Sequence, residues 1–79
     1  MNFPNAFFKD SQFVFANGAY TLYTCSDGID GLLFDVSGIL LAVLVFKIDD
    51  RVCESSYVVN DFVLSEPLKA AIYNERLPF

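Results

Sequence analysis

The sequence predicts an α+β fold: an antiparallel β-meander of four to five strands followed by one C-terminal helix. Three observations lead there. Asn17-Gly18 separates two β-prone runs, the pairing that most strongly marks a tight hairpin. Leu32 to Ile48 is apolar and rich in β-branched residues, with Ser37-Gly38 as a candidate turn inside it. Ser65-Glu66-Pro67 opens a stretch with helical spacing, because Pro suits the first turn of a helix and acids suit its positive end.

The chain has 79 residues, enough for a single small domain spanning 1–79. Cores of this size are marginal. Yet 54% of the residues are hydrophobic, with nine Phe and four Tyr, which excludes intrinsic disorder. So much apolar surface on so short a chain points to an interface.

Each element can be read in turn. Phe3 to Phe8 is a helical turn after Pro4 or a segment lying across the core. Gln12–Ala16 and Ala19–Cys25 form the first hairpin. A two-residue type I′ loop at Asn17-Gly18 requires positive φ at both positions. It sets Ala16 opposite Ala19, Phe15 opposite Tyr20 and Phe13 opposite Leu22. Phe13, Phe15, Tyr20 and Leu22 then share the core-facing side.

Ser26-Asp27-Gly28-Ile29-Asp30-Gly31 reads as a loop, with two Gly for left-handed positions and two Asp for side-chain-to-backbone bonds. It lacks the alternating ligands and terminal Glu of an EF-hand, so no metal is expected there. With a two-residue turn at Ser37-Gly38, one face of the next hairpin holds Leu32, Phe34, Val36, Ile39, Leu41, Val43 and Val45. The other holds Leu33, Asp35, Leu40, Ala42, Leu44, Phe46 and Ile48. Strands apolar on both faces need cover on both, and one helix covers only one. The second cover is either the N-terminal segment or another polypeptide.

Asp49-Asp50 turns the chain into a more polar strand between Arg51 and Asn60, expected near an edge. Asp61 to Leu64 is a short further strand or the approach to the helix. Within the helix, Leu68, Ala71, Ile72 and Glu75 follow one face, with Lys69 and Arg76 outward. Leu77-Pro78-Phe79 leaves the helix, with the Phe79 ring free to dock.

One membrane reading competes. Ile29 to Phe46 has nearly the length of a single membrane-spanning helix, which would make a small single-pass membrane protein. Asp30 and Asp35 inside the segment, Ser37-Gly38 at its middle and the β-branched content oppose that reading. The first residues, Met1-Asn2-Phe3-Pro4-Asn5, show no basic leader region. A cytoplasmic location is expected, with Cys25 and Cys53 as free thiols.

The charge pattern narrows the function. Ten acids face five bases, without any His. Between Asp10 and Glu66 nine acids stand against two bases, Lys47 and Arg51. Direct nucleic-acid binding needs the opposite balance. The absence of His removes the usual general base, and neither cysteine has the setting of an activated nucleophile. Two Cys fall short of a zinc site, and no Gly-rich phosphate loop occurs. The paired carboxylates, Asp27 with Asp30 and Asp49 with Asp50, fall in expected turns. No enzyme activity and no cofactor are expected.

What remains is binding. Carboxylates on alternate strand positions stand roughly 6.6–7 Å apart, close to the spacing of successive phosphates. In size and charge the chain resembles small phage-encoded inhibitors of host defence, anti-CRISPR proteins among them. The likeness is one of composition and implies an inhibitor that blocks a basic, nucleic-acid-binding surface on a target protein. The expected partner-binding residues are Asp27, Asp30, Asp49, Asp50, Glu54 and Asp61. A structural homo-oligomer, such as a homodimer formed through the second apolar face, is the alternative.

Overall fold

The computed structural model describes residues 7–25 and 29–75. Its five strands are β1 (Phe7–Phe15), β2 (Gly18–Cys25), β3 (Asp30–Asp35), β4 (Leu40–Lys47) and β5 (Val52–Val58), followed by the helix α1 (Glu66–Glu75). The strands form one antiparallel sheet in sequence order, the meander expected from the sequence. The stretch 61–64 is not a strand and leads into α1.

The helix begins where the sequence places it. Ser65 caps it: its Oγ accepts from Leu68 N at 3.3 Å and its carbonyl accepts from Lys69 N at 2.9 Å. Leu68 and Ile72 are buried against the sheet, and the Tyr73 ring meets Phe46 edge-on. Glu75 is exposed and does not continue that face. Lys69, expected outward, is instead folded over the rim of β5 (below). Arg76, Leu77, Pro78 and Phe79 lie outside the described residues.

One face of the sheet carries the core: Leu22, Leu33, Ala42, Leu44, Phe46 and Cys53 close under Leu68 and Ile72. Phe13, Phe15, Tyr20, Leu41, Val58 and Phe62 pack around them. The four-residue face read from the first hairpin, Phe13, Phe15, Tyr20 and Leu22, is therefore on the core side.

The turn of that hairpin differs from expectation. Its loop residues are Ala16 and Asn17, with Phe15 opposite Gly18, Phe13 opposite Tyr20 and Ser11 opposite Leu22. Positive φ falls on Ala16 alone, at 54°, the pattern of a type II′ turn. Gly18 supplies space rather than a left-handed φ: a Cβ there would stand 2.5 Å from Tyr20 Oη. Moving the loop back by one residue changes every partner by two positions. Side-chain direction alternates with period two, so the faces are preserved. β1 is also longer than expected, starting at Phe7, with a bulge at Asp10.

Two further boundaries move. Asp30 and Gly31 belong to β3, not to a loop. Gly31 is needed in the strand because a Cβ would meet the Phe46 ring at 2.7 Å. At the β3–β4 turn, Asp35 N donates to Ile39 O and Gly38 N to Asp35 O. Gly38 has φ 88°. The loop is thus the three residues 36–38, with a bulge near Leu41. Leu33 opposite Ala42 and Leu32 opposite Val43 are as expected from the sequence. The bulge exchanges Leu40 and Leu41: Leu40 pairs with Phe34, and Leu41 joins the core cluster.

The type II′ assignment has a direct test in urea unfolding. Ala16→Gly relieves a left-handed alanine and should stabilise the domain by about 1 kcal/mol. Asn17→Gly, at a position without positive φ, should stabilise nothing. The reverse order of the two variants would restore the Asn17-Gly18 loop.

Candidate functional site

The face away from α1 is the candidate site. Strand pairing lays its residues out in rows. Lys9, Tyr23, Leu32, Val43 and Tyr57 run across all five strands. Gln12, Thr21, Phe34 and Leu40 form the next row. On the other side, Asp30 and Glu54 both stand opposite Val45. Among the described residues no helix or strand packs on this face. It is apolar as the sequence implied: Tyr23 and Phe34 meet edge-to-face with centroids 5.4 Å apart. Leu32 is only 4% exposed, while Tyr57 and Val14 are 61% and 75% exposed. Residues 1–6, the other candidate cover, lie outside the described residues.

The expected partner-binding carboxylates do not form one cluster. Asp30 opens β3, and Asp49 and Asp50 sit in the exposed β4–β5 loop. That loop is closed by Arg51 N donating to Ile48 O at 3.2 Å, with Arg51 at φ 55°. Because Asp30 pairs with Val45, near the end of β4, these three acids share one end of the sheet. Glu54 lies mid-strand on β5 and is engaged: it accepts from Lys69 Nζ at 3.3 Å at the rim of this edge strand. Lys69 also bonds Glu66 at 3.0 Å. Those hydrogen bonds, Glu66 first and then Glu54, raise the Lys69 pKa above its ordinary value. Asp61 is exposed after β5, beyond the Val58 that pairs with Ala42, and so belongs to the opposite end. Asp27 lies outside the described residues.

The sequence did not single out Asp35, which organises the β3–β4 turn. Its Oδ1 accepts from Ser37 N at 2.8 Å and Ile39 N at 3.0 Å. The signal was present in Asp35-Val36-Ser37-Gly38, an acid two residues before Ser and three before Gly, suited to an Asx-type loop with a left-handed Gly. Beside this turn, Thr21, Tyr23, Phe34, Asp35, Val36 and Gly38 line a shallow cleft of about 180 Å³.

Cysteine chemistry is quiet in the core. Cys53 is fully buried, its Sγ lies 3.6 Å from Lys69 O, and burial pushes its pKa up to about 11. Cys25 is half-buried on the helix-free face, opposite Phe7. Among the described residues no three Cys, Asp or Glu converge as metal ligands. Residues 30–35 and 40–47 are strands rather than one helix, and among the described residues no helix is long and apolar enough to cross a membrane. No protein-family model, curated protein or solved structure matches the chain.

The Cys53 environment gives a pH prediction. The unfolded thiol ionises near 9.0 and the folded one near 11. Above pH 9 the unfolded state binds fewer protons, so stability falls as pH rises to 11. The loss should approach about 2–3 kcal/mol. Urea unfolding from pH 8 to 11 should show this decline in the native protein and a shallower one in Cys53→Ala. Parallel curves would show that burial does not hold the thiol neutral.

Proposed function

We propose that the chain is a non-enzymatic binding module: a small acidic inhibitor that blocks a basic, nucleic-acid-binding surface of a target protein, in the manner of phage or mobile-element anti-defence proteins such as anti-CRISPRs. The observation that carries this reading is the acidic end of the sheet, half-buried Asp30 with exposed Asp49 and Asp50, adjoining an apolar face without a described cover. Carboxylates on such an end attract a basic surface and exclude the phosphates that surface would otherwise hold. The neighbouring apolar rows supply the desolvated contact area that charge alone does not. Glu54 contributes less, because Lys69 already neutralises it.

Homodimerisation through the helix-free face is a second reading, favoured by that face's apolar rows. Charge weighs against it. The chain carries a net charge of −5, and a two-fold axis along β3 would set Asp30 against its own copy. Light scattering separates the two readings, since the inhibitor reading needs no second copy.

The test uses immobilised protein and cell lysate, with captured proteins identified and assayed for nucleic-acid binding. The expected result is a basic protein whose nucleic acid is displaced by the chain and whose capture fades with added salt. Asp49→Lys/Asp50→Lys should fold normally and weaken capture at least tenfold. Capture insensitive to both salt and the double substitution, or no displacement of nucleic acid, would contradict the proposal.

A further inference from the structure

We infer that the Lys69–Glu54 ion pair guards the outer edge of β5, an autoinhibitory contact that keeps this strand from pairing with the β5 of a second copy. This role is independent of the proposed basic partner.

The hazard lies in the strand itself. β5 ends the sheet, and an end strand offers unpaired main-chain N–H and C=O groups to any extended segment. Its sequence, Val52-Cys53-Glu54-Ser55-Ser56-Tyr57-Val58, holds a single charge and neither Pro nor Gly. Short segments of low charge without Pro pair readily with copies of themselves. Within the strand, Glu54 alone opposes that pairing.

Geometry places the lysine where such a copy would have to lie. Cys53 belongs to the core under α1. Glu54, the next residue along the strand, therefore faces the other side, opposite Val45. Lys69 belongs to α1, yet its Nζ reaches Glu54 Oε1 at 3.3 Å. Because β4 closes the inner flank of β5, this bridge passes around the outer edge. An added strand would run about 4.8 Å beyond β5 in the plane of the sheet, through the space the lysine crosses. Cys53 agrees with this placement. An end strand shows its outer main chain to water, but Cys53 has no exposed surface, and its Sγ lies 3.6 Å from Lys69 O. Glu66 steadies the ammonium from the helix side at 3.0 Å. The remaining half of β5 is guarded differently. The register shifts between Val43 and Leu44, and Ser56 Oγ turns back to donate to Val43 O at 3.3 Å. Such a bulge twists an edge out of line for pairing. A surface ion pair adds little to stability, so the guard acts by what its loss would cost an incoming strand. That strand must separate Lys69 from Glu54 and cover both charges without partners.

Light scattering and amide hydrogen exchange on the whole chain test this. Lys69→Gln removes the charge and keeps helix propensity, while Lys69→Gln/Glu54→Thr removes both ends of the pair. The double variant should form dimers or larger species. Its β5 amides should exchange at least tenfold more slowly as concentration rises, while the β1 amides keep their rates. Lys69→Gln alone should show the same pattern at higher concentration, and it decides the matter if the double variant does not fold. Lys69→Arg retains charge and reach and should behave as the native chain does. The inference is overturned by a folded variant without the ion pair that stays monomeric at every concentration. It is overturned equally by association that protects other strands and not β5, or by Lys69→Arg associating as the double variant does.

Discussion

The β3–β4 hairpin is apolar on both sides, and the rest of the structure is arranged around that constraint. Leu33, Ala42, Leu44 and Phe46 point to one face, and Leu32, Phe34, Val43 and Val45 to the other. A hairpin of this kind gains its stabilisation only when both surfaces leave water. Among the described residues there is one helix, α1, and it packs on the first face through Leu68 and Ile72. The second face is closed in part by its own neighbours, the Tyr23 and Phe34 rings, and Leu32 between the Tyr23 and Val43 positions is thereby nearly dry. The outer members of the rows, Val14 and Tyr57, stay in contact with solvent.

Charge is distributed against this apolar background. Asp30, Asp49 and Asp50 gather at the end of the sheet where β4 passes into β5, while Lys69 draws Glu54 and Glu66 together at the rim. Asp30, Asp49 and Asp50 are thus grouped at one end, while Asp61 stands apart at the other. An acidic end joined to a half-dry apolar face combines steering with area. Neither part requires the chain to carry a reactive group, and the one fully buried thiol is held neutral by its surroundings.

Side-chain alternation and helix capping were legible in the sequence; loop geometry was less so. Phe13, Phe15, Tyr20 and Leu22 were placed on the correct face because period-two patterning survives a one-residue shift of the turn. The shift itself was hidden. Asn-Gly reads as a left-handed pair, whereas Gly18 is used to clear room for Tyr20. The exchange of Leu40 and Leu41 was hidden likewise, since a bulge depends on the three-residue loop that Asp35 and Gly38 set between them. Among the candidate contact residues, the grouping of Asp30 with Asp49 and Asp50 follows from strand order. The pairing of Glu54 with Lys69 spans 15 positions and leaves no local trace.

In the proposed reading the two sides of β4 do different work, one holding the fold together and the other meeting a partner. Urea unfolding of Val43→Ser and Leu44→Ser, adjacent residues on opposite faces, tests it most directly. Leu44→Ser should cost several kcal/mol, about 3 or more, as buried large-to-small changes do. Val43→Ser should cost about 1 kcal/mol or less. Equal losses would mean that the helix-free face is already covered within the single chain, and the surface proposed for a partner would not exist.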